Sequence, residues 1–167
     1  MIARTSKLSR RTRVLVATAL AALVVVGVLT VRAMTADGGS GVEVEPAPLA
    51  DDPACVRIEK GYPDRLDGME RDDTDAAGAA SWGDGSVVLR CGMKRPVPSA
   101  DSCATVDGVD WLWRERESGE GRKVLLTFGR EPGVQASVAD EVPALDSVLI
   151  ELSKLVKPVE QTEKCLS

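Results

Sequence analysis

Histidine and asparagine do not occur in this 167-residue chain, and its aromatic side chains number only three Trp, one Tyr and one Phe. The absence of histidine removes Ser-His-Asp and Cys-His nucleophile systems, together with zinc sites built on imidazole. Also missing are a Gly-rich phosphate loop closed by lysine, a Gly-x-Ser-x-Gly elbow and a Ser-x-x-Lys pair. The 26 Asp and Glu residues supply carboxylate pairs by chance, so a glycosidase-like pair has no specificity here. The chain is poorly equipped as an enzyme, and no cofactor is implied.

Basic residues are scarce beyond the first 32 positions. Six Lys and Arg and no acid lie in residues 1–32, which leaves 15 basic against all 26 acidic residues for the remainder. An acidic body excludes nucleic acid as partner, since a phosphate backbone needs a clustered positive surface. One long apolar run is present, residues 14–31, with Thr18 and Thr30 as its only polar members. It approaches the ~20 residues that cross a ~30 Å hydrocarbon layer. Arg4, Lys7, Arg10, Arg11 and Arg13 precede it and Arg32 follows it. By the positive-inside rule, residues 1–13 are expected in the cytoplasm and the body outside, behind a single membrane pass. The competing reading is a signal peptide cut near Val31-Arg32-Ala33, which secretes the body; Arg32 and the length of the run favour an uncleaved anchor. Residues 32–51, rich in Gly, Pro and acid, are expected as a disordered tether, with the folded unit over residues 52–167.

All four cysteines, Cys55, Cys91, Cys103 and Cys165, lie beyond the apolar run. An even number outside the cytoplasm points to disulfides, and no Cys-x-x-Cys spacing suggests redox exchange or zinc. Four cysteines allow three connectivities. Proximity along the chain favours Cys91 with Cys103, at the end of one strand and in the loop after it, and leaves Cys55 to tie the first helix to the tail through Cys165.

Within residues 52–167 the pattern predicts an α+β domain of two layers. Asp51 and Asp52 before Pro53 start a short helix, which Gly61 and Tyr62-Pro63 end. Residues 66–81, rich in Asp, Gly and Ala, read as a loop. Alternating runs at 86–91, 109–114, 123–128 and 134–138 predict an antiparallel meander of four strands with one apolar face. Val87, Leu89 and Cys91, then Val109, Trp111 and Trp113, then Val124, Leu126 and Phe128 are expected on that face. Val142, Leu145, Val148, Leu149, Leu152, Leu155 and Val156 form the stripe of an amphipathic helix that covers it, with Asp140 and Glu141 at its start and Pro158 closing it.

Candidate chemistry is sparse. Asp73, Asp75, Gly78 and Asp84 fall at positions one, three, six and twelve of an EF-hand count, but position five is Ala77 and no bidentate Glu follows. A solvated acidic loop is the simpler reading. Three tryptophans suggest a flat platform for sugars, although the strand face shared by Trp111, Trp113 and Val109 assigns those two to the core. Trp82, between small residues beside the acidic loop, is the tryptophan expected at an exposed contact. Arg90 and Asp110 are expected as a solvated pair on the outer sheet face.

Three segments read together resemble a known group. Ala80-Ser81-Trp82-Gly83-Asp84, then Val88-Leu89-Arg90-Cys91-Gly92 with Arg95-Pro96, then Val106-Asp107-Gly108-Val109-Asp110-Trp111 resemble the actinobacterial family catalogued as domain of unknown function 3515. The resemblance runs from about residue 53 to the final helix. It implies an anchored or secreted envelope protein, often encoded beside a cell-wall D-Ala-D-Ala ligase and a thiamine-phosphate kinase, with no activity, cofactor or catalytic residue attached to it. Gly85 stands where members commonly carry proline. The excess of arginine over lysine, 14 against 7, and the lack of Asn agree with a GC-rich genome. The function expected is noncatalytic contact with an envelope protein or cell-wall polymer through Trp82, Arg90, Arg95, Asp107 and Asp110. A small-ligand or divalent-cation module on the 72–84 loop is the alternative, and an unrecognised hydrolase the third reading.

Overall fold

A computed structural model describes residues 41–97 and 100–165. The expected membrane segment at 14–31, the basic residues before it and residues 32–40 of the expected tether lie outside the described residues. Among those described, no helix is long and apolar enough to cross a membrane.

The elements are α1 (Pro53–Glu59), β1 (Arg65–Leu66), β2 (Met69–Glu70), β3 (Ala79–Trp82), β4 (Val87–Met93), β5 (Cys103–Val106), β6 (Val109–Trp113), β7 (Arg122–Thr127), β8 (Gly133–Ala139) and α2 (Leu145–Val156). The class is α+β as expected, but the sheet has six strands, with β1 and β2 forming a separate hairpin. Its order, β3-β4-β8-β7-β6-β5, is antiparallel throughout. Only β5 to β8 form a meander. The β3–β4 hairpin joins it through β8, so the connection from β4 to β5 spans the width of three strands.

Local sequence accounts for the helix ends. The Asp52 carboxylate accepts from the Ala54 amide at 2.7 Å, and Pro53 occupies the first turn. The second helix begins at Leu145, later than the apolar stripe suggests, because Pro143 lies inside that stripe and interrupts it. Val148, Leu149, Leu152, Ser153 and Val156 form its buried side. Both helices pack on the sheet face that carries Ala80, Trp82, Val87, Leu89, Cys91, Val109, Trp111, Val134, Ala136 and Val138.

Four local expectations are corrected. Residues 66–81 are not one loop: they include the β2 strand and β3, whose four residues are all buried. In β7 the phase is reversed, because Trp111 pairs with Thr127, and Leu125 with Ala136. Leu125 and Thr127 therefore face the helices while Val124 and Leu126 face away. The run Val124-Leu125-Leu126 is buried on both sides, and a strand covered on both faces carries no alternation to read. The outer face is thus partly covered too, by the turn after β6, where the Gln135 side-chain amide donates to Glu117 at 3.1 Å.

The disulfide pairing is also corrected: Cys55 joins Cys91, and Cys103 joins Cys165, with Cα separations of 5.4 and 6.2 Å. Register gives the reason. Cys91 pairs with Val134 on the helix side, whereas Cys103 pairs with Leu112 on the outer side, with β8, β7 and β6 between the two strands. Cysteines on opposite faces of a sheet cannot meet. On the chain-entropy account, the sequence separations of 36 and 62 residues correspond to roughly 4 kcal/mol for each bridge.

The last correction concerns the tether, since residues 42–50 lie against the folded unit. The Val42 amide donates to Asp73 O at 3.0 Å and the Leu49 amide to Gly92 O at 2.8 Å, and Ala47 and Ala50 are buried. Gly92 makes this possible: its φ is +110°, and a Cβ there would overlap the backbone of Leu49 and Ala50. Gly92→Ala is expected to cost roughly 2 kcal/mol or more, seen as a lower urea midpoint with an unchanged far-UV spectrum in the absence of denaturant.

Candidate functional site

The residues expected to form one contact surface do not do so. Trp82 is fully buried on the helix side, packed edge-on to Tyr62 at 6.0 Å, with its indole N–H donating to Pro63 O at 3.0 Å. It pairs with Val87 across the β3–β4 hairpin, beneath α1 and the segment that follows. Arg90 and Asp110 both lie on the outer face but do not pair. Arg90 donates to Gln135 Oε1 at 3.3 Å, and its Nε is buried without a partner among the described residues.

Arg95, Asp107 and Asp110 do converge on one target, the protein's own C-terminal tail. Asp107 meets Lys157 at 3.1 Å at the end of α2. Arg95 reaches Glu163 at 3.0 Å and Thr162 at 3.3 Å, with Glu131 at 3.5 Å on its other side. Asp110 is buried and accepts from the Thr105 hydroxyl at 2.6 Å, the Gln161 amide at 2.8 Å and the Cys165 backbone N–H at 2.9 Å. Burial pushes this carboxyl up, but the three donors together with the Lys164 charge outweigh it and hold Asp110 below the ordinary aspartate range.

Arg130 completes the arrangement from the β7–β8 turn. Its guanidinium donates to the carbonyls of Val159 and Lys157, just past the helix, and to Gly108 O and Gln161 Oε1. A cation at a helix C-terminus satisfies free carbonyls and opposes the negative end of the dipole. Burial lowers the pKa of Arg130, and the charge of Asp110 opposes that shift. Gly129, at φ +70°, has no room for a Cβ against the Glu163 carbonyl. On the helix side, the Trp111 indole N–H donates to Ser153 Oγ at 3.0 Å. The segment Val106-Asp107-Gly108-Val109-Asp110-Trp111 therefore holds both α2 and the tail.

The acidic loop is likewise structural. Asp72, rather than Asp73, is the organising carboxylate: it accepts from the amides of Asp84 and Gly85, each at 2.9 Å, and from Ser81 Oγ at 2.6 Å. Burial raises its pKa, and these three hydrogen bonds bring it below the ordinary value. Gly85 donates here through an N–H that proline lacks, so a proline at this position requires a different turn. Among the described residues no group of three acids or cysteines converges as a metal site.

With those motifs accounted for, a polar concavity among the described residues lies elsewhere, at the end of the sheet where β6 stops and β7 starts. It is a shallow cleft of about 620 Å³, lined by Ser102, Trp113, Glu115, Ser118, Gly119, Arg122, Lys123 and Asp140. Trp113, expected in the core, is 41% exposed, one residue past the last fully covered position of β6. Strand alternation gives its face correctly but not how far the helices extend over that face. Arg122 is fixed by Ser137, through Oγ at 2.8 Å and the backbone O at 2.9 Å. Lys123 pairs with Asp140, while the Glu115 carboxylate has no partner among the described residues. Sequence reading missed this cleft because the stretch from Trp113 to Lys123 is joined there by Ser102 and Asp140 from distant parts of the chain.

Asp110→Ala is expected to destabilise the domain by about 1–3 kcal/mol, since it leaves three donors without their acceptor. A folded pKa below the unfolded one gives stability that is present above the ordinary aspartate value and lost as pH falls through the folded value. Urea unfolding at descending pH should therefore show the difference between wild type and Asp110→Asn shrinking below the ordinary carboxylate range.

A family model described as "Protein of unknown function (DUF3515)" matches residues 14–165. No curated protein and no solved structure matches the chain. The matched range begins with the apolar run and ends at Cys165, so the resemblance carried by the three motifs extends to both ends of the domain. The chain belongs to the DUF3515 family.

Proposed function

We propose that this protein is a membrane-tethered extracytoplasmic domain that acts without catalysis, by contact with a component of the cell envelope. The observation that carries this reading is the joining of all four cysteines in two disulfides. Such bridges persist in oxidising compartments and are rare in the cytosol. The apolar run at 14–31, with five basic residues before it, supplies the anchor and the orientation. That run falls within the range matched by the family model, which supports treating anchor and domain as one functional unit.

The contact surface in this reading shifts from Trp82 to the Trp113 cleft. Arg95, Asp107 and Asp110 serve as supports for the tail, and Arg90 as part of the outer-face network. The small-ligand or divalent-cation alternative on the 72–84 loop is less favoured, because among the described residues no three acids or cysteines converge there and Asp72 is engaged by backbone amides.

The test is differential alkylation in intact cells. A thiol reagent applied before reductant should label none of the four cysteines, and the same reagent applied after reduction and unfolding should label all four. Thiols that are reduced in living cells would overturn the extracytoplasmic placement.

A further inference from the structure

We infer that the Trp113 cleft is a binding site for a neutral glycan, a chain of hydroxyl-rich sugar rings, with Trp113 as the plate on which one ring rests. The inference deepens the envelope-contact reading and rests on it for the biological source of the ligand; the chemistry of the cleft is argued separately.

Charge narrows the class of ligand first. The cleft holds Arg122 and Lys123 against Glu115 and Asp140, a net charge of zero on a body that is otherwise acidic. A polyanion such as a phosphate polymer needs an unbalanced positive groove, and a polycation the reverse. Neither is present. The balance favours a neutral partner.

Side-chain chemistry narrows it further. Vicinal sugar hydroxyls each donate and accept, so a site that binds them needs donors and acceptors interleaved within a few ångströms. Here the Glu115 carboxylate is free to accept, the Asp140–Lys123 pair and the Arg122 guanidinium offer their remaining acceptor and donor positions, and the Ser102 hydroxyl serves both roles. The indole face supplies the apolar component, against which the C–H side of a pyranose can pack. Trp is suited to this because it combines a large apolar area with few rotatable bonds.

Shape points the same way. About 620 Å³ lies within the range of small-ligand sites, but the cleft is open to solvent along its length rather than enclosed. An open cleft admits a segment of a longer chain, whereas a small metabolite is better retained by an enclosed pocket. Its floor is also rigid, because the Ser118 hydroxyl accepts from the Val124 amide at 2.9 Å and donates to Arg114 O at 3.0 Å.

The experiment titrates the full chain in lipid nanodiscs, free of sugar-headed detergent, while tryptophan emission is followed. Trp82 and Trp111 are buried, so a change on binding reports Trp113. The probes are soluble oligosaccharides of N-acetylglucosamine and of β-linked glucose, with polyglutamate and a neutral decapeptide for comparison. A saturable blue shift with at least one oligosaccharide is expected, little altered by added salt. Trp113→Ala should weaken that binding by about tenfold or more, and Trp113→Phe should restore part of it. The melting temperature of Trp113→Ala should stay close to wild type, because the side chain is half-exposed. Three results overturn the assignment: no response to either oligosaccharide, a response that persists in Trp113→Ala, or a response to polyglutamate or the peptide in preference to the sugars. A silent cleft in a protein whose cysteines are oxidised in cells removes the glycan assignment alone. Reduced cysteines in cells remove the envelope placement and leave the binding result standing.

Discussion

The outward and inward alternation of one sheet places Cys91 and Cys103 on opposite faces, and the architecture is organised around that separation. Cys91 anchors the first helix to the inner face and Cys103 anchors the tail to the outer face at Cys165. Both ends of the described chain are thereby fixed to a sheet of short strands, three of them no longer than five residues. A domain of this size buries only a modest core, so two bridges of roughly 4 kcal/mol each are large beside the 5–15 kcal/mol typical of a folded domain. The segment at 42–50 adds a third attachment through Gly92, whose missing side chain lets that backbone approach.

Polar groups that look like chemistry in one dimension serve this clamping in three. Asp110, Asp72 and Arg130 are each surrounded by hydrogen-bond partners from the protein itself. The perturbed carboxyls follow the same logic: burial raises their pKa, and donors from Thr105, Cys165 and Gln161, or from Ser81, Gly85 and Asp84, reverse the shift. Tyr62 shows the contrasting case. Its hydroxyl donates to Gly78 O at 2.8 Å, and burial, aided by the Glu59 charge, raises its pKa against the smaller opposing pull of Arg71.

The three motifs that carry the family resemblance are thereby explained as architecture. The Trp82 segment forms the core under α1, the Cys91-Gly92 segment holds the N-terminal attachment, and the Asp107 to Trp111 segment holds the last helix and tail. A tryptophan left half-exposed in a charge-balanced cleft has no such explanation in the packing. That contrast gives Trp113 its place in the functional reading, and the end of the sheet is also where loops are freest to carry contacts without loosening the core.

How much was legible in one dimension depended on whether the determining contacts were local. The cap at Asp52-Pro53, the α2 stripe, the face carrying Val87, Leu89 and Cys91, and the pairing of every cysteine with another follow from neighbours in sequence or from composition. The phase of β7, the burial of Trp82, the exposure of Trp113 and the choice between disulfide connectivities required the strand order. Each depends on what lies across the sheet or above it, and β8 lies beside β4 although β5, β6 and β7 come between them in sequence. Side-chain alternation determines which of two faces a residue takes, and the sequence carries that information. Which face is covered, how far, and by which distant segment is settled only when the strands assemble, because burial belongs to the assembled layers and not to any one strand.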